Sequence, residues 1–155
     1  MLKSLRRFSA LEPPAQRLFL RALVMLPAVS LRLKLRGFQS TQAALQKTLS
    51  PATAPNESGI PDKRAALTAR MVNAADRHGL IHSTCLAKSL TLWWLLGRQG
   101  IASQLRIGIR KDKDKLEAHA WVEREGIALN EPEEHHRHYA AFDASVTSLP
   151  EEKLR

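Results

Sequence analysis

The feature that most constrains this chain is a change of hydrophobic period at Gly100. Before it, "CLAKSLTLWWLLGRQG" (Cys85–Gly100) is apolar on most sides. Leu86, Leu90 and Trp93 fall on one helical stripe, and Ser89, Leu92 and Leu96 on another, with Cys85 at its head. A helix apolar nearly all round is a buried helix. Trp93 and Trp94 are expected in its core contacts. After Gly100 the period drops to two. In "QLRIGIR" (Gln104–Arg110), Leu105, Ile107 and Ile109 alternate with polar or small residues, which is the pattern of a strand. A buried helix followed by half-buried strands must cover a sheet.

Two more strands are predicted. "KDKDK" (Lys111–Lys115) reads as a charged turn, "LEAHAWVE" (Leu116–Glu123) as the second strand and "IALNE" (Ile127–Glu131) as the third. Upstream, Pro13 and Pro14 suit the start of a helix over 12–36. Pro27 is expected to kink or split it, and Gly37 to stop it. A short helix over Thr41–Leu49 follows. Ser50–Asp62, with three prolines, reads as a linker. Asp62 is expected to cap a helix over Lys63–His78, packed through Ala66, Ala69, Met71 and Ala74, with Gly79 ending it. The expected organisation is a basic helical region over 1–50, a linker over 51–62 and an α+β core over 63–155, helices first and then an antiparallel sheet.

Charge divides the chain the same way. The net charge is +9. Residues 1–50 hold nine Lys/Arg against one acid, Glu12, whereas the remainder holds 15 basic and 14 acidic side chains. The basicity therefore belongs to the N-terminal third, as a docking face for an acidic partner or simply a solvated helix surface. The best apolar run, Ala22–Leu31, is ten residues long, contains Pro27 and is flanked by Arg21 and Arg32. It falls short of the ~20 residues a membrane span needs, though a basic amphipathic stretch suits peripheral membrane contact. Arg17 and Arg21 also interrupt the only candidate for a secretory signal. The region has few stacking aromatics (Phe8, Phe19 and Phe38) and no nucleic-acid motif, so no nucleic-acid partner is expected.

Cys85 is the only cysteine, which excludes an internal disulfide and suits a reducing cytoplasm. Ser83 and Thr84 are good N-cap residues and place Cys85 in the first helical turn. There the helix dipole and unpaired N–H groups favour a thiolate, and the same N–H groups can hold an oxyanion. A lone cysteine is more often a small core hydrophobe, so its partner decides the reading. His119, mid-strand between Ala118 and Ala120, is that partner, where a satisfied, half-buried histidine is the plain alternative. Asn130, Glu131 and Asp143 are candidates to orient the imidazole. A three-residue turn, Arg124-Glu125-Gly126, puts glycine where positive φ is needed, pairs Glu123 with Ile127 and sets Glu131 opposite His119. A two-residue turn would set Asn130 diagonal to His119. Trp121 shares the His119 face and is expected either to line a substrate cleft or to pack on the cysteine helix. "EEHHRH" (Glu133–His138) carries ligand types that suit zinc but reads more simply as a solvated loop, so no metal is expected.

"CLAKSLTLWWLLGRQGIASQLRIGIR", followed by "AHAWVE" and "LNE", resembles the transglutaminase-like cysteine peptidases of lasso-peptide biosynthesis, the leader peptidases of the microcin-processing type. The resemblance covers about residues 60–132, and the basic N-terminal helix is similar to the region preceding the peptidase core in that family. It implies a papain/transglutaminase-like fold and a Cys-His-acid triad at Cys85, His119 and Glu131, with glutamate where aspartate is common. It implies removal of the leader from a ribosomally made precursor peptide without metal or organic cofactor. The implied partners are that precursor, a separate leader-recognition protein and an asparagine-synthetase-like cyclase. Acyl transfer by the same residues, or a non-catalytic peptide-binding scaffold of the same fold, are the competing expectations.

Overall fold

A computed structural model describes residues 11–49, 63–79, 82–112, 115–131 and 139–142. Three helices precede a four-stranded antiparallel sheet: α1 (Pro13–Gln46), α2 (Lys63–His78), α3 (Cys85–Arg98), β1 (Gln104–Asp112), β2 (Lys115–Arg124), β3 (Ile127–Ala128) and β4 (Ala140–Phe142). The strand order is β3-β2-β1-β4. The α+β architecture is the one expected, with a short fourth strand that the sequence reading did not contain.

α1 breaks at Gly37, the stop expected, and not at Pro27, where a kink was expected. Pro27 lies within the helix, and the only non-helical dihedrals inside α1 are at Gly37 (φ 74°, ψ 178°). A proline's missing N–H and ring are accommodated within a long helix packed on neighbours. Gly37, lacking a Cβ, takes the left-handed φ that turns the chain. Thr41 Oγ1 then donates to Gly37 O (2.7 Å), tying the last turns to the break.

α1 is also no appendage. Ala22, Leu26, Val29 and Leu45 share one hydrophobic cluster with Val72 and Ala75 of α2, Leu90, Leu92 and Leu96 of α3, and Leu105 and Val122 of the sheet. On α2 the buried positions are Ala65, Thr68, Ala69, Met71, Val72 and Ala75, while Ala66 is exposed. Thr68 and Gln99 join α2 to α3 through Gln99 Nε2 → Thr68 Oγ1 (2.9 Å). At the far end of α3, Arg98 donates to Thr48 O (3.0 Å) and Trp94 to Thr48 Oγ1 (2.8 Å). Asp62, the expected cap of α2, lies outside the described residues. Gly100, at φ 72°, closes α3 as expected.

The hairpin register differs from the one expected. Glu123 pairs with Ala128 and Arg124 with Ile127, so the turn contains two residues. Glu125 (φ 52°) and Gly126 (φ 78°) both take positive φ. That is the signature of a type I′ turn, whose twist matches the flanking strands. Arg124 thereby stays in the strand, and Glu125 adopts the strained φ that the three-residue reading had spared it.

Truncating Leu26, buried in the shared core, tests the integration of α1. Leu26→Ala should cost about 2–5 kcal/mol in chemical denaturation, in one cooperative transition. A loss within about 0.5 kcal/mol, the range of a surface change, would mean that α1 is dispensable to the core.

Candidate active site

The site is built where β3 leaves the sheet. Leu129 N–H still donates to Val122 O (2.9 Å), but Leu129–Glu131 then bend away from the ladder. β2 would be left with unpaired polar groups on that edge, and unpaired buried backbone groups are costly. Two side chains take them up. Val122 N–H donates to Asn130 Oδ1 (2.9 Å), and Ser89 Oγ of α3 donates to Ala120 O (2.9 Å). Asn130 Nδ2 in turn donates to Ser89 Oγ (3.1 Å), and the Asn130 carbonyl accepts from Asn73 of α2 (3.4 Å). Ser89 and Asn130 are both buried. Asn130 is thus the joint between sheet and helices. Its side chain is committed to Val122 and Ser89 and does not serve as the imidazole's orienter.

The bend delivers Glu131 to His119. Continuing the observed register would set Glu131 opposite Ala120, not His119. Because the chain has left the ladder, the Glu131 carboxylate still reaches the ring, with Nε2···Oε2 at 2.5 Å. A carboxylate accepts, so in the neutral ring Nε2 carries the hydrogen and Nδ1 keeps the lone pair. Both side chains are mostly buried, at 18% and 10% exposure.

The ring is also held on its flat sides. Trp121 stacks nearly parallel to it (centroids 6.1 Å, 18°), and Tyr139 lies 5.1 Å away on a tilt. Trp121 is only 1% exposed. It therefore backs the imidazole instead of lining an open cleft. Its Nε1 donates to Glu123 (2.7 Å), which Arg106 also holds (3.0 Å). Gly108, paired with His119 across the sheet, makes the room: a Cβ there would sit 2.9 Å from both Trp121 and Tyr139. Arg110 covers Tyr139 from beyond, 4.9 Å from its ring.

Cys85 is the first residue of α3 and is half-buried. Thr84 is the N-cap, its Oγ1 accepting from Ala87 N–H (3.2 Å), while Ser83 N–H is anchored on Asp76 of α2 (3.1 Å). The same Asp76 pairs with Lys88 (4.0 Å). Lys88 N–H is taken by Thr84 O. That leaves the N–H groups of Cys85 and Leu86 without partners among the described residues, the usual condition of a helix start. Ser89, one turn beyond Cys85, is bonded to Ala120 O, which ties the first turns of α3 to the strand that carries His119. The structure joins His119 to Glu131, while the Cys85 thiol makes no hydrogen bond among the described residues and no Cys–His contact is closed.

A cysteine at a helix start, a histidine on the strand it docks against and an acid on the next segment invite comparison with known families. A family model described as the transglutaminase-like superfamily matches residues 22–142. The chain belongs to this superfamily. The match begins inside α1 and runs to the end of β4, in keeping with a helical layer that is part of the core. Transglutaminase-like proteins are in general cysteine proteases or acyltransferases. No curated protein and no solved structure matched the chain.

Sequence reasoning missed Ser89 as a docking residue, Asp76 as the anchor of the cap, and Tyr139. The last is the only tyrosine, at the start of the short apolar run "YAAF". Glu133–His138 and Asp143 lie outside the described residues. No metal-binding group of His, Cys, Asp and Glu occurs among the described residues, and none of their helices is long and apolar enough to cross a membrane.

Two variants test this geometry. Asn130→Ala should lower stability by about 1–3 kcal/mol in denaturant titration, the cost of orphaning a buried N–H. Gly108→Val should alter the near-UV circular dichroism of Trp121 while far-UV helicity is retained. An unchanged aromatic spectrum would sink the proposed packing of Trp121 on Gly108.

Proposed function

We propose that this transglutaminase-like domain is a cysteine peptidase that removes the leader from a ribosomally synthesised precursor peptide during lasso-peptide maturation. The observation that carries the reading is the His119–Glu131 pair, on the strand to which the helix that begins at Cys85 is bonded through Ser89. In this reading His119 Nδ1 takes the proton of Cys85 Sγ. The sulfur adds to the carbonyl carbon at the leader–core junction. The N–H groups of Cys85 and Leu86 stabilise the oxyanion. Collapse breaks the C–N bond, His119 protonates the leaving amine, and the acyl group remains as a thioester. Water, deprotonated by His119, then hydrolyses that thioester. Glu131 holds the ring's tautomer throughout. No metal or organic cofactor enters these steps.

The lasso-peptide assignment is supported by the sequence resemblance of the cysteine helix and the "AHAWVE" strand. It brings partners with it: a separate leader-recognition protein that presents the precursor, and an asparagine-synthetase-like cyclase that uses the product. We also place the protein in the cytoplasm, where such precursors are made.

The test combines the full chain, a leader-bearing precursor and its leader-recognition protein, followed by mass spectrometry. Release of the intact leader is expected. Cys85→Ala should abolish it, His119→Ala should slow it by about 10²–10⁴-fold, the usual contribution of a general base, and Glu131→Gln should slow it less. Alkylation of Cys85 by iodoacetamide at neutral pH should fall with His119→Ala. Products that appear only with an added amine, and carry it, would replace hydrolysis by acyl transfer. Leader release unchanged in Cys85→Ala would overturn the mechanism.

A further inference from the structure

α1 has two apolar faces, and the fold uses only one. Ala22, Leu26 and Val29 enter the core. On the opposite side Leu20, Val24, Leu31 and Leu35 stand out at 50%, 68%, 58% and 71% exposure. Apolar side chains scattered singly on a surface are normal, but a line of them on one helix face marks an interaction site. This line is ordered. Arg17, Arg21, Val24, Ala28, Leu31 and Leu35 are spaced by four and three in turn, the spacing of a coiled-coil seam. All six are exposed. At 1.5 Å per residue the seam runs about 27 Å.

Its first half opens into a cavity of about 450 Å³ between α1 and α3, walled by Leu20, Val24, Met25, Trp94 and Leu95, with Arg21 and Arg98 at its sides. Such a cavity accepts a side chain from a partner, which a flat surface does not supply. The charge pattern defines that partner further. α1 contains no Asp or Glu, and among the described residues Arg17, Arg21, Arg32, Lys34 and Arg36 form no ion pairs. Two of the arginines sit in the seam itself. A second copy of α1 would bring uncompensated cations against cations, so like charge disfavours self-association.

We infer that the outer face of α1, with the α1–α3 cavity, docks an acidic amphipathic helix of a partner protein. Its apolar residues lie along Val24, Leu31 and Leu35, one of them enters the cavity, and its carboxylates meet Arg17 and Arg21. This is recognition of a helix by a groove, and it does not rest on the peptidase chemistry.

The probe is a fluorescein-labelled synthetic helix about three heptads long, with Leu at a and d and Glu at e and g. Titrated with the full chain and read by anisotropy, it should bind saturably, and more weakly as salt rises. A counterpart with Lys in place of Glu should not bind. Val24→Asp with Leu31→Asp should weaken binding at least about tenfold, the loss expected of central anchors. Arg21→Glu should weaken it several-fold. These side chains are exposed, so thermal unfolding should be unchanged in all variants, and Cys85→Ala should bind like the wild type. Equal binding of the Glu and Lys helices, or binding indifferent to the Val24 and Leu31 substitutions, would overturn the inference. So would binding of the full chain to phosphatidylglycerol vesicles without binding of the Glu helix, which would assign the face to a membrane. A dimer in sedimentation equilibrium that Leu31→Asp dissolves would assign it to a second copy.

Discussion

The buried joint formed by Ser89, Asn130 and the open edge of β2 is the interaction on which the rest of the site depends. A strand that stops pairing leaves orphaned donors and acceptors, and their cost must be offset where they arise. Here one serine and one asparagine settle Val122 N–H and Ala120 C=O and bond to each other. Three elements are joined in one step: α3 to β2 through Ser89, β2 to the departing chain through Asn130, and α2 through Asn73. The directions of both Glu131 and the head of α3 follow from it. A buried polar network of this kind is worth having only when each member is satisfied, as these are.

The fold was legible in the sequence because its strongest signals were long-range in pattern and local in cause. The switch of period at Gly100 marked the helix–sheet boundary, and Thr84, Cys85 and Gly100 bracketed α3. Other features were not legible. Pro27 read as a break, although a long helix gripped by its neighbours tolerates it. Glycine in third place suggested a three-residue turn, whereas Glu125 takes positive φ beside Gly126. The turn matters most at Glu131. A three-residue turn sets this glutamate opposite His119, a register the hairpin does not adopt. Glu131 reaches His119 because the strand bends out of the ladder, and no local pattern encodes that bend. Ser89 read as one member of a stripe, since its partner lies 31 residues away.

The charge asymmetry takes on a different meaning once α1 is seen in the core. A basic tail could vary freely. A basic helix whose inner face packs on α2 and α3 has its outer face held in a set direction relative to Cys85 and His119. Whatever meets the arginines is therefore held at a defined distance from the catalytic candidates, by a rigid element and not by a tether.

The clamp around His119 has a kinetic corollary. Glu131 holds one nitrogen, Trp121 and Tyr139 crowd the ring, and Gly108 is small so that they can. A ring so confined is a poor candidate for rotation. If thiol and imidazole are to meet, the moving part is the cysteine, whose side chain turns about a single bond at the mouth of α3. Rotamer hops of that kind take picoseconds to nanoseconds when the side chain is accessible. In the proposed mechanism the imidazole is therefore the fixed member of the pair and the thiol the adjustable one.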